Sequence, residues 1–377
     1  MCVPRARARG DAACRSIGVM HRTQRRAGLL AGCSASAGDG AGAGSAVDFR
    51  LEAVEELATG LESPWSVVFV GSSALISERD TGRIVERTAD GEMREAGRIT
   101  GVVHGGEGGL LGLAVDDERR LFVYSTGPDG NRVQRLPLTG EPGSLGLGDA
   151  VTLIDGIPSA GIHNGGRLAI GPDDLLYVTT GDAASGGASQ DRESLAGKIL
   201  RLTLDGDVPD DNPFPGSPVF TLGHRNPQGL AWTSDGTLYA AEFGQNTWDE
   251  LNRIEPGANY GWPEVEGVAD EGDFVDPVQQ WATDEASPSG MTAVDDRLLV
   301  ANLRGRSVRA VPASDPAAQI ELFADEYGRI RHVAAAPDGS VWILTSNTDG
   351  RGNPSDGDDR ILRAMPAETA FSSADAS

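Results

Sequence analysis

Two of the five histidines stand among clustered polar residues. These are His163, in Gly-Ile-His-Asn-Gly-Gly-Arg-Leu at 161–168, and His224, in Gly-His-Arg-Asn-Pro-Gln-Gly-Leu-Ala at 223–231. An imidazole in a loop is a ready general base near neutral pH. Read alone, it is equally a ring donating to a backbone carbonyl where a strand begins. Arg225, Asn226 and Gln228 follow His224, and Glu242, Gln245, Asp249 and Glu250 crowd the loop about fifteen residues on. Arg329 and Arg331 alternate in Tyr-Gly-Arg-Ile-Arg at 327–331. In an extended segment that spacing puts both guanidinium forks on one face, as convergence on one ligand requires. Arg304 lies in Asn-Leu-Arg-Gly-Arg at 302–306, and Glu107 in Gly-Gly-Glu-Gly-Gly at 105–109. The acidic loop 246–250 offers oxygen ligands of the kind a hard divalent cation takes, though such loops are often merely solvated. No His/Cys cluster suggests zinc.

These groups lie in loops, so the strands around them must do the positioning. From Val47 onward the chain reads as short apolar runs separated by Asp/Gly turns. One pattern recurs: an apolar strand, an Asp-Asp or Asp-Gly turn, and a second strand rich in Leu and aromatics. It begins near residues 65, 111, 167, 229, 290 and 332. A further apolar strand follows most hairpins, at 82–87, 198–202 and 360–363. The interval is roughly 40–60 residues, the range of propeller blades. Each unit then supplies about four strands, the number in a blade. Six units predict an all-β, six-bladed β-propeller with little helix. The alternating segment 49–57 precedes the first unit and is expected to pair into the last blade and close the ring, removing free edges.

The 377 residues include 51 Gly and 21 Pro, the composition of a chain with many tight turns, and carry a formal net charge of −24. That balance argues against nucleic acid as a partner, which needs Lys/Arg clusters. The three cysteines, Cys2, Cys14 and Cys33, precede the propeller, so its body holds no disulfide. Residues 1–46 lack strand periodicity. Within them Met20-His-Arg-Thr-Gln-Arg-Arg resembles a signal n-region, and Leu30-Ala-Gly-Cys33 resembles a bacterial lipobox. The expectation is an exported protein with a lipid anchor at Cys33. A propeller follows at 47–366, then a disordered tail at 367–377.

The segments 223–231 and 249–263, the second reading Asp-Glu-Leu-Asn-x-Ile-x-x-Gly-x-Asn-Tyr-Gly-Trp-Pro, resemble the signatures of the soluble glucose/sorbosone dehydrogenases. These are quinoproteins that use pyrroloquinoline quinone (PQQ) and Ca²⁺. Matching segments run from about Leu51 to Arg363. The resemblance implies oxidation of a small-molecule aldose sugar to a lactone, with electrons passed to an unidentified acceptor. It makes His163 the base that takes the sugar proton, and Arg225 and Asn226 contacts to the reactive quinone edge. Gln228, Arg304, Arg329 and Arg331 fall at further cofactor positions, with Arg304 where the family carries Lys.

The resemblance also implies that the carbonyls of Gly244 and Gln245 hold a cofactor-bridging calcium. Glu250 and the Tyr260 carbonyl hold a second, structural one. Two departures carry expectations. Glu107 stands where the family has Gln, and beside a trianionic cofactor its carboxylate is repulsive unless protonated or metal-bound. Ile162 stands where the glucose-oxidising branch has an Asp that would orient the histidine ring, which fits the broader aldose-oxidising branch. The rival readings are a metal-dependent propeller lactonase and a cofactor-free sugar-binding propeller.

Overall fold

The computed structural model describes residues 49–269 and 272–368. The expected leader, linker and lipidated Cys33 lie outside the described residues, as does the tail from 369. Among the described residues no helix is long and apolar enough to cross a membrane.

Six antiparallel sheets follow one another along the chain. The first blade is built from Pro64–Val70, Ser73–Glu78, Arg83–Arg87 and Met93–Arg98. The second uses Leu110–Val115, Arg120–Gly127, Gly130–Thr139 and Val151–Ile157, with Gly146–Leu147 added along Gly130–Thr139. The third uses Leu168–Ile170, Leu176–Thr180, Lys198–Leu202 and Val219–Leu222. The fourth uses Pro227–Trp232, Leu238–Glu242, Trp248–Arg253 and Gln279–Ala282. The fifth uses Pro288–Val294, Arg297–Asn302, Ser307–Pro312 and Ile320–Leu322. The sixth joins Ile330–Ala335, Val341–Thr345 and Ile361–Glu368 to the N-terminal strand Phe49–Ala58. That strand pairs Phe49 with Glu368 and Ala58 with Ile361, so the two ends of the described chain share one sheet and close the ring. Helical structure among the described residues is limited to two short 3₁₀ turns, Gly186–Ser189 and Pro316–Ala318. The six-bladed propeller read from the sequence is the fold observed.

Six apolar clusters fill the six interfaces between neighbouring blades. Each sheet therefore buries both faces. That is why inner positions such as Leu75 and Ile76 are consecutive apolar residues rather than alternating ones. The first strands of the blades pack side by side around the central axis. Five of these six inner strands shift register near their start, after Pro64, Leu110, Pro227, Pro288 and Ile330. A bulge adds a residue without a partner and re-aims its side chain. In all five the second residue of the strand falls in the shift: Trp65, Leu111, Gln228, Ser289 and Arg331.

Antiparallel pairing also fixes which loops share a face. The segments entering each first strand and those leaving each second strand lie on one rim. His163, Arg225, Arg329 and Glu107 are of the first kind. Arg79, Asp182, Gly244, Arg304 and Asp349 are of the second.

Candidate active site

A cavity of about 380 Å³ opens on this rim over the axis. Three of the bulged residues, Trp65, Gln228 and Arg331, line it. Gln228 Oε1 accepts hydrogen bonds from Arg331 Nη1 at 3.0 Å and from Ser289 Oγ at 3.1 Å. The Arg331 guanidinium lies over the Trp65 ring at 5.9 Å.

His163 lines the wall. Its Nδ1 is 2.7 Å from Asp182 Oδ1, and its Nε2 makes no hydrogen bond to any described residue. A carboxylate on Nδ1 keeps the ring proton there and leaves the Nε2 lone pair as the basic site. Asp182 is buried and also accepts from Trp262 Nε1 at 2.9 Å and from the Ala184 N–H at 2.8 Å. Burial alone would raise its carboxyl, but the bonds from His163, Trp262 and Ala184 outweigh this and hold it below the usual range. The Asp182 N–H donates to the Arg225 carbonyl at 2.8 Å, tying the His163–Asp182 pair to the next blade. The carboxylate on the ring thus comes from the far end of the hairpin, not from position 162.

Arg225 is held from both sides. Its N–H and that of Asn226 donate to Glu242 Oε1, while Glu242 Oε2 takes His224 Nδ1 at 2.7 Å. His224 is fully buried against Thr221 and stacks on Tyr260, so of the two conspicuous histidines it belongs to the scaffold. The Arg225 guanidinium lies over Trp262 at 5.5 Å and donates Nη1 to the Phe243 and Gly244 carbonyls. Its Nε is buried without a partner, and burial lowers its pKa from the ordinary arginine value. Asn226 Oδ1 accepts the Gly165 N–H at 3.0 Å, joining this loop to that of His163.

Arg329 and Arg331 converge, as their spacing predicts, but on a protein carboxylate. Asp349 Oδ2 is 2.9 Å from Arg329 Nη2 and 3.6 Å from Arg331 Nη2. Burial would raise the Asp349 carboxyl, and the two guanidinium groups overcome this and hold it low. Arg331 is buried with Nε unpartnered, and burial pushes its guanidinium down to about 10. Arg304 lies at the exposed side of the cavity, with Nη1 on the Thr283 carbonyl at 3.4 Å. Glu107 Oε1 is 2.7 Å from Arg351 Nη1, and Oε2 accepts the His163 N–H at 2.8 Å. A guanidinium therefore balances the carboxylate whose charge the sequence left unanswered.

The family model of glucose/sorbosone dehydrogenase matches residues 61–362. The chain belongs to that family. A solved structure described as the PQQ-bound form of an aldose sugar dehydrogenase from Streptomyces coelicolor is 46% identical, with a TM-score of 0.82, over 85% of this chain and 99% of that one. Quinoprotein glucose dehydrogenase B from Acinetobacter calcoaceticus is 35% identical over 53% of this chain and 49% of its own length. The aldose sugar dehydrogenase of Escherichia coli is 28% identical over 79% of this chain and 91% of its own.

In this family member the fold brings His163, Arg225, Asn226, Gln228, Glu107, Arg304, Arg329, Arg331, Gly244 and Gln245 to one cavity. Asp249 also lines it, accepts the Gly244 N–H at 2.8 Å, and is pushed up to about 6 by burial. Glu250 and Tyr260 lie apart from the cavity. Glu250 is buried, accepts from Gly267 N–H and Asn252 Nδ2, and burial and then the charge of Glu242 raise its carboxyl. The Tyr260 hydroxyl donates to the Arg253 carbonyl at 2.7 Å. No group of three or more His, Cys, Asp or Glu able to hold a metal occurs among the described residues.

Asp182, Asp349, Arg79 and Arg351 line or brace the cavity without having been foreseen. A usable signal exists for all four: each sits one to six residues beyond the second strand of its unit, on the rim that the first-strand loops share.

Proposed function

We propose that this chain oxidises aldose sugars to lactones with PQQ, His163 acting as general base. The observation that carries the reading is the shared cavity. A base with its proton-bearing nitrogen fixed by Asp182 faces the same space as a cluster of guanidinium groups. PQQ is a planar tricarboxylate, and the residues fit it. Arg331 and Arg225 keep buried, unpartnered Nε–H groups at the cavity, and Arg304 has no carboxylate partner among the described residues. Guanidinium forks suit carboxylates, and Arg225, buried with no ion pair to a described residue, is a desolvated cation that favours an anionic ligand.

The sugar places its anomeric hydroxyl on His163 Nε2. His163 takes the O1 proton while C1 loses a hydride, and the bound quinone supplies the acceptor for that hydride. Asp182 holds the ring in the competent tautomer and stabilises the imidazolium that forms. Arg225, pinned by Glu242 and by Trp262, would hold the quinone with positive charge, and Arg329 and Arg331 would hold its carboxylates, with Asp349 keeping both forks in place.

Calcium fits the oxygen donors present, the carbonyls of Gly244 and Gln245 beside Asp249, and would supply Lewis-acid polarisation. The Gly244 carbonyl already accepts Arg225 Nη1, and its second lone pair is the one left for a cation. The test is reconstitution. Chelator-treated protein given PQQ and Ca²⁺ should reduce an artificial electron acceptor only when aldose is present, and release lactone. Protein that binds no PQQ under these conditions would overturn the reading.

A further inference from the structure

The backbone at the base is strained. His163 adopts a left-handed φ of 58°, and the two residues after its partner Asp182, Ala183 and Ala184, are also left-handed at 49° and 62°. Side chains disfavour this region, so surrounding contacts must hold it. Within blade 3 the support is the Ala183 N–H on the His163 carbonyl and the Asp182 side chain on Nδ1. The support from outside is Glu107, from the loop between blades 1 and 2, which takes the His163 N–H at 2.8 Å. The two loops are in close contact: the Glu107 N–H donates to the Gly161 carbonyl at 3.0 Å, and a Cβ on Gly106 would fall 2.0 Å from that oxygen. Glu107 is aimed in turn by Arg351 of blade 6, whose side chain is 56% exposed. An ion pair so open to water adds little to stability. What the pair does is fix which way the Glu107 carboxylate points.

We propose that Arg351 and Glu107 together are positioning residues for His163, with Arg351 acting through Glu107 to hold the base in its strained backbone conformation. This rests on the sugar-oxidation reading above and adds to it a device built from this chain's own pair of residues. The Arg351–Glu107 bridge joins blade 6 to the loop entering blade 2, and both residues line the cavity.

The experiment uses PQQ- and Ca²⁺-loaded protein and the variants Arg351→Ala, Arg351→Lys, Glu107→Gln and the double variant Glu107→Gln/Arg351→Ala. Because Arg351 is exposed, Arg351→Ala should keep the parent melting temperature. It should lower kcat by about 10- to 100-fold, the scale of a small misplacement of a reacting group. The sugar KM and PQQ affinity should stay within about twofold. Arg351→Lys should recover most of kcat. In the Glu107→Gln background, where no carboxylate remains to aim, Arg351→Ala should change nothing further. Amide exchange in a peptide covering 158–166, read without turnover, should be faster in Arg351→Ala than in the parent.

A raised KM with kcat intact would mean that Arg351 touches the sugar instead, and would overturn the proposal. So would unchanged kcat, unchanged exchange, or additive effects in the double variant. A parent that fails to turn over sugar would sink the functional reading, while the exchange comparison still decides whether Arg351 braces His163.

Discussion

At the residue scale, the cavity separates the groups proposed to react from the groups that aim them. His163 offers one free ring nitrogen because Asp182, Trp262 and a peptide N–H fix the other side. His163→Ala should lower kcat by roughly 10²–10⁴-fold, the usual worth of a positioned general base. PQQ affinity, proposed to come from the arginines, should stay within a few-fold. Steady-state kinetics beside a PQQ titration separates the two effects, and equal turnover in variant and parent would remove His163 from the chemistry. Asp182→Asn should move kcat in the same direction. An asparagine can keep the geometry but neither fixes the tautomer nor stabilises the imidazolium.

At the element scale, the N-terminal strand Phe49–Ala58 is the device that closes the ring. It gives the sixth blade its outer strand and removes the exposed edge that Ile361–Glu368 would otherwise present. Phe49 is 1% exposed and packs with Leu299, Val308 and Val341 across the interface of blades 5 and 6. Phe49→Ala should cost about 3–5 kcal/mol from lost burial and the cavity left behind. Denaturant unfolding measures it, and the kcat of the folded fraction should be unchanged, since Phe49 lies at the end of the strand opposite the cavity rim. A change below 1 kcal/mol would mean the closing strand is not held as its packing indicates. The bulged second residues of the inner strands are the other consequential element. They turn Gln228 and Arg331 out of the sheets and toward one another at the axis.

At the scale of the whole molecule, the formal charge of −24 coexists with a cavity of guanidinium groups. The acids beside those groups carry a pH consequence. Asp182 and Asp349 have folded values below the unfolded carboxylate, near 3.9. A depressed carboxyl contributes stability that is present above about pH 4 and is lost as pH falls through its folded value. The share of the stability that these two acids carry should therefore hold down to about pH 4 and then drop, whereas the raised carboxyl of Asp249 acts in the opposite sense, nearer pH 6. The drop should be smaller in Asp349→Asn, whose neutral side chain has no such contribution to lose. Parallel loss in both proteins would mean that Asp349 contributes nothing to acid sensitivity.

The sequence by itself determined the architecture and one half of the site. Blade count is legible because each hairpin is local: apolar runs, an Asp/Gly turn and a second strand are written in consecutive residues, six times over. His163, Arg225 and the alternating Arg329 and Arg331 are legible because a loop entering a strand must face the rim. Tertiary structure alone decided their partners. Asp182 is 19 residues from His163, Asp349 is 20 from Arg329, and Arg351 is 244 from Glu107. No short pattern joins residues so far apart. They meet because antiparallel pairing returns the end of each second strand to the start of the first, and because ring closure brings blade 6 beside blade 1. The charge on Glu107 shows the difference: in the sequence it is an isolated repulsion, and in the folded ring Arg351 answers it.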